Sequence, residues 1–346
     1  MKHDLMRLTD ILIDKIKRDY KCDVSIVHIH GSYAYGDVHD LSDLDIYLVP
    51  KTQRGFNLGC TFIFDGIGCD FWALSWERLE RIASHGERTA SIITDGKVLY
   101  YGSDEDLARF EQLKTRAADT SNRKEWFTRA RKALDEAYKD GFILQNAKTL
   151  TEVRIHSIGL IYNLSYVLAQ LNQITVKRGR KLLKQEILEM PLVPDGFGTL
   201  YDTVFLNNDI QAVKGACVSL LQNTEKLVSA TMAEPLASFA EVFAGWYEEM
   251  IQSYNKIYHA CEVGDVYTPL FASVEFAYEL ETMFKRAGVS PELPDMVAAY
   301  DSGDLKKIAD AARAHQAAFE SLLRENSIHP LAFSTFEEVQ QFINEK

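Results

Sequence analysis

Residues 31–49 read GSYAYGDVHDLSDLDIYLV, and this stretch decides the fold. It is preceded by VSIVHIH (24–30), an apolar run of strand character that ends on the pair Gly31-Ser32. A second apolar run, LDIYLV, follows, with Asp43 and Asp45 flanking Leu44 at its head. Side chains alternate across a strand, so Asp43 and Asp45 share one face while Leu44, Ile46 and Leu48 take the other. Two adjacent carboxylates repel unless a cation lies between them. Oxygen-only donors on a rigid strand suit Mg2+, which keeps several waters and takes its remaining ligands from phosphates. Glycine at the end of the first strand lets a phosphate approach the backbone, and Ser32 adds an N–H and a hydroxyl. A phosphate cradle beside metal-type carboxylates implies a site for a nucleoside triphosphate.

Working outward, CTFIFDGIGCDFWAL (60–74) predicts a β-hairpin, because two apolar runs meet at Asp65-Gly66, a favoured two-residue turn. Asp65 is explained by the turn. Asp70 lies inside the second run, where an unpaired charge is costly and a metal would remove the cost. Apolar residues at helical spacing over 3–19 predict a helix before the first strand, and a helix is expected over 75–85. KVLYYG adds a further strand ending near Gly102, and GSDEDL (102–107) has the pattern of a capped helix start.

After the polar stretch RAADTSN (116–122) the pattern is helical to the end. TEVRIHSIGLIYNLSYVLAQLN is apolar on nearly all sides and is expected to be central. Asp209, Asp265 and Asp304, each after Asn or Gly, are expected to cap helices. The fold class is therefore α+β: a small mixed-sheet domain over 1–116, a helical domain over 123–230, and a further helical segment over 231–346. The aromatic residues of 243–260 fall at helical spacing and are expected in its core.

The chain of 346 residues carries a formal charge of −12. A protein that grips a nucleic-acid backbone shows a basic stripe, so this balance argues against nucleic acid and favours a cationic small molecule in an acidic cleft. Five cysteines at 22, 60, 69, 217 and 261 show neither metal spacing nor a disulfide framework, as in a reduced compartment. No apolar stretch approaches the length of a membrane span, and MKHDLMRL lacks a signal-peptide core. A cytoplasmic protein without membrane contact is expected. His28 and His30 share a strand face beside Gly31 but have no matching Cys or His partner, which favours packing over metal binding. The basic run KRGRK (177–181) has the composition of a solvated loop.

The spacing of Gly31-Ser32 and Asp43-Leu44-Asp45, with Asp70 on a nearby strand, resembles the nucleotidyltransferase superfamily that includes DNA polymerase beta. From 123 to 230 the order of parts is similar to the C-terminal domain of the kanamycin nucleotidyltransferase group: IYNLSYVLAQLN, ITVKRGRK, KLLKQEILEM, then PLVPDGFGTLYD. The resemblance covers residues 1 to about 230. It implies two Mg2+ ions on Asp43, Asp45 and Asp70, and ATP or another nucleoside triphosphate as co-substrate held by Gly31 and Ser32. It further implies a small acceptor such as an aminoglycoside, and a homodimer. A carboxylate on the first helix of the second domain would be general base, with a lysine one turn later on phosphate; in LDEAYKD these are Glu136 or Asp135, and Lys139. One departure stands out: where the family often carries a triphosphate-binding arginine, GSYAYG has Tyr35, which cannot neutralise charge. Lys51 and Arg54 are the cations near enough in sequence to substitute. The alternative is a regulatory, antitoxin-like protein that keeps the fold and acts on a protein partner.

Overall fold

The structure is a computed structural model and describes residues 4–177, 179–233 and 235–346. The amphipathic N-terminal segment forms α1 (Met6–Asp19), whose Leu12 and Ile16 are buried. VSIVHI forms β1 (Val24–Ile29), wholly buried. Gly31 then takes φ 75, ψ −155, a conformation essentially reserved for glycine, and turns the chain into the single-turn helix α2 (Ser32–Tyr35). β2 (Leu44–Pro50) runs back antiparallel to β1 and is followed by α3 (Gln53–Phe56).

The predicted hairpin is present as β3 (Cys60–Phe64) and β4 (Ile67–Ala73), with Phe64 opposite Ile67. Asp65 (φ 46) and Gly66 (φ 81) both have positive φ, as the tight primed turn demands. α4 (Trp76–Ala83), α5 (Ser91–Thr94), β5 (Lys97–Tyr101) and α6 (Asp104–Ala117) complete the sheet region. Ser103 caps α6 by accepting from the Asp106 N–H.

The sheet order is β3-β4-β2-β1-β5, with β2 and β4 parallel and the other neighbours antiparallel. Alternation divides it into two faces. Val27, Ile29, Leu44, Ile46 and Leu48 pack with Leu12 and Ile16 of α1. Ile26, Tyr47 and Val49 pack with Leu79, Ile92 and Phe110 from α4, α5 and α6. Helices thus cover both faces, a mixed three-layer arrangement.

The next helices belong to the same compact unit, Met1–Met232. They are α7 (Arg123–Asn146), α8 (Leu150–Leu171), α9 (Leu183–Leu188), α10 (Phe197–Leu206) and α11 (Ile210–Thr231). α8 is central, as its composition predicts: twelve of its residues are buried. Leu160, Leu164 and Leu168 pack with Leu134 of α7 and Leu220 of α11. The α+β class expected from the sequence is the one observed.

The second unit, Ala233–Lys346, contains α12 (Phe239–Phe243), α13 (Trp246–Val263), α14 (Thr268–Ala287), α15 (Leu305–Glu325) and α16 (Phe336–Asn344). Its core is aromatic: Phe243, Tyr254, Phe276 and Phe319 are each fully buried. Tyr254 Oη and His315 Nδ1 are hydrogen-bonded at 2.6 Å inside it. The helix starts differ in detail from expectation. Asp209 caps α11 as predicted. Asp265 stands three residues before Thr268 and bonds its N–H and hydroxyl, while Asp304 occupies the cap position of α15 without a side-chain cap bond. Among the described residues no helix is long and apolar enough to cross a membrane, and the five cysteines are free thiols.

Candidate active site

The decisive geometry is strand register. β2 and β4 are parallel with Asp45 directly opposite Asp70. Neighbouring strands lie about 4.8 Å apart, so the two carboxylates rise side by side from one face. Asp43, two residues before Asp45 and just outside β2, adds a third on the same side. One step further along this face, Tyr47 is opposite Trp72 on β4 and stacks on His28 of β1 at 5.1 Å.

The electrostatics show strain between these groups. Burial, then Asp43, then Asp70 push the Asp45 carboxyl up from its usual 3.8 to about 6. Among the described residues none of the three forms an ion pair, and no three His, Cys, Asp or Glu side chains are gathered closely enough to hold a metal ion as they stand. The donor chemistry nonetheless suits a hydrated Mg2+, since every donor is a carboxylate oxygen and the charge on them is unneutralised.

The cradle adjoins this cluster. A Cβ placed on Gly31 would stand 3.7 Å from Asp45 Oδ2, so the backbone at the end of β1 lies against the carboxylate. Ser32 Oγ is buried and has no hydrogen-bond partner among the described residues. A buried hydroxyl left unpaired costs about 1–3 kcal/mol. It is a feature that a bound phosphate would satisfy.

Tyr35 has a definite role in the structure. Its hydroxyl is hydrogen-bonded to His30 Nε2 at 3.0 Å, with the rings edge to face. Lys51 and Arg54 do not substitute for the missing arginine. They follow the far end of β2, where Lys51 pairs with Asp106 and Arg54 with Asp23, each at 2.6 Å. His28 is fully buried between Tyr47 and Phe110 with neither ring nitrogen bonded, and burial holds it neutral, with a pKa of about 3.

On α7, Glu136 and Lys139 form an ion pair at 2.7 Å, and this bond is the main cause of the depressed Glu136 carboxyl. Asp135 is exposed. A residue that ties α7 to the sheet region is Asp140, one turn after Glu136, which the sequence reading passed over. Asn163 of α8, 8 % exposed, donates to Asp140 Oδ2 and accepts from Arg88 in the loop before α5. The available signal was Asn163 itself, a polar residue in the most apolar helix of the chain.

Beside this bridge lies a cavity of about 510 Å³, lined in part by His30, Tyr47, Arg88, Ser91, Tyr166 and Lys177. It begins next to the carboxylates, because His30 adjoins Gly31 and Tyr47 is two residues from Asp45. An acidic cleft was expected, yet among the described residues no Asp or Glu lines this cavity. Of the KRGRK run, Lys177 reaches it and pairs with Asp95 at 3.0 Å, while Arg178 lies outside the described residues.

No family model matches the chain, and no curated protein is similar enough to match. Among solved structures, a nucleotidyltransferase-like protein from Exiguobacterium sibiricum is similar over 66% of this chain and 82% of its own, at 10% identity and a TM-score of 0.37. A likeness that loose does not assign the chain to a family.

Proposed function

We propose that this protein is a Mg2+-dependent nucleotidyltransferase that moves a nucleotidyl group, in the simplest case AMP from ATP, to a hydroxyl of a small acceptor. The observation that carries the reading is the pairing of Asp45 with Asp70 beside Gly31 and the unpartnered Ser32 hydroxyl. Residues 1–116 serve as the catalytic part, 123–230 shape the acceptor side, and 231–346 are an additional helical segment. Gly31 and Ser32 hold the outer phosphates so that the α-phosphorus is presented for in-line attack. Bound Mg2+ on Asp43, Asp45 and Asp70 supplies charge neutralisation. The acceptor oxygen forms a bond to the α-phosphorus, the bond to the bridging oxygen breaks, and pyrophosphate leaves. Glu136 or Asp135 takes the hydroxyl proton, a contribution of about 10²–10⁴-fold.

Calorimetric titration with a non-reactive ATP analogue, with and without Mg2+, tests this. Mg2+-dependent binding in the native chain and none in an Asp43→Asn/Asp45→Asn variant supports it; equal binding in both removes it. The regulatory alternative is favoured by one observation: Tyr35 is tied to His30 where a cation is expected, and neither Lys51 nor Arg54 is free to replace it. Co-purification with a second polypeptide, together with no nucleotide binding, would select that reading.

A further inference from the structure

The cavity beside the carboxylates has a charge character opposite to that of the chain. The protein carries −12 overall, yet among the described residues the ionised side chains lining this cavity are Arg88 and Lys177. Lys177 is partly compensated by Asp95, which stands outside the lining. Arg88 has no carboxylate within ion-pair distance among the described residues. It donates to the Asn163 amide oxygen and stands 5.4 Å from the Tyr166 ring centre. A guanidinium has five N–H donors in a fork that matches an anion, and an amide oxygen and a ring leave several of them available.

Tyr47 and Ser91 also line the cavity and offer hydroxyl groups to a ligand there. Tyr162, Tyr166, Ile92, Ala169 and Ile174 supply aromatic and apolar wall beside uncharged polar residues such as Thr89 and Gln170. Cationic donors, hydroxyls and ring walls together fit one class of molecule.

We propose that this cavity takes a flat organic anion, a planar ring bearing a phosphate, carboxylate or sulfonate, and rejects polycations such as aminoglycosides. Only the ligand's role depends on the transferase reading. Under it, the anion is either the nucleotide itself or a separate anionic acceptor.

The test uses the full chain and anilinonaphthalene sulfonate, a fluorescent planar anion, titrated in EDTA so that no metal site is involved. Saturable binding is expected, weakened about tenfold or more in Arg88→Gln and blocked in Ile174→Trp. Ile174 is 39 % exposed and takes no part in the Arg88–Asn163–Asp140 bridge, so this second variant reads the cavity even where Arg88→Gln misfolds. Excess kanamycin leaves the probe bound. Titrations of both variants that superimpose on the native chain, or displacement by kanamycin, overturn the proposal. In a second titration with Mg2+ in place of EDTA, displacement by the ATP analogue identifies the nucleotide as the anion, whereas simultaneous binding identifies an anionic acceptor. Probe binding in EDTA needs no metal, whereas the calorimetric test of the transferase reading requires Mg2+, so loss of the transferase reading and loss of this one are separately visible.

Discussion

Replacing Asp45 with Asn should make the metal-free protein more stable while abolishing the nucleotide binding proposed above. Asp45 has a folded pKa of about 6 against an ordinary 3.8, caused by burial and by Asp43 and Asp70. The folded state therefore binds this proton more tightly than the unfolded chain does. The resulting penalty is absent below about pH 4, grows as pH rises, and is complete above about pH 6. A shift of about two units corresponds to about 3 kcal/mol. Asp45 is partly exposed, and solvent screening reduces this to about 1–2 kcal/mol. The carboxylate accepts no hydrogen bond from a described residue, so Asn removes the charge and breaks no such contact. In a thermal scan in EDTA near pH 7.5, Asp45→Asn is expected to melt about 3–6 °C higher than the native chain. The gain should fade when the scan is repeated near pH 4.5. Adding Mg2+ at about ten times its Kd should raise the native protein by about 1.4 kcal/mol and leave the variant unmoved. A variant that melts at or below the native temperature in EDTA, or keeps the same gain in acid, would refute a penalty from the buried Asp45 charge beside Asp43 and Asp70.

Ser32→Ala should cost no more than about 0.5 kcal/mol in denaturant titration, because its buried hydroxyl has no partner to lose, yet weaken the ATP analogue about tenfold in calorimetry. Asn163→Leu breaks both halves of the bridge between Asp140 and Arg88. It is expected to destabilise the Met1–Met232 unit by about 1–3 kcal/mol, measured by chemical denaturation. In the second unit, burial holds His315 down at about 4 from 6.5, so the unfolded chain binds the extra proton between these values. Stability should therefore fall as pH drops through that window, and His315→Gln should flatten the dependence followed by circular dichroism.

Local chemistry carried much of this molecule in its sequence. Alternation along LDIYLV placed Asp43 and Asp45 on one face because the pleat has a period of two and needs no tertiary information. The Asp65-Gly66 turn was legible because few residues tolerate two successive positive φ values. α8 announced itself as central by being apolar all round. Tertiary structure decided what no local rule reaches. The pairing of Asp45 with Asp70 depends on which register β4 adopts beside β2, and a slip of one residue would turn Asp70 into the core. The bond from Tyr35 to His30, and the ion pairs that occupy Lys51 and Arg54, depend on where the chain ends its strands. The charge of the cavity was the least legible of all. Arg88, Asn163 and Lys177 are far apart in sequence, and net charge sums over the whole surface, whereas a cavity's character is set by the few side chains that packing turns inward.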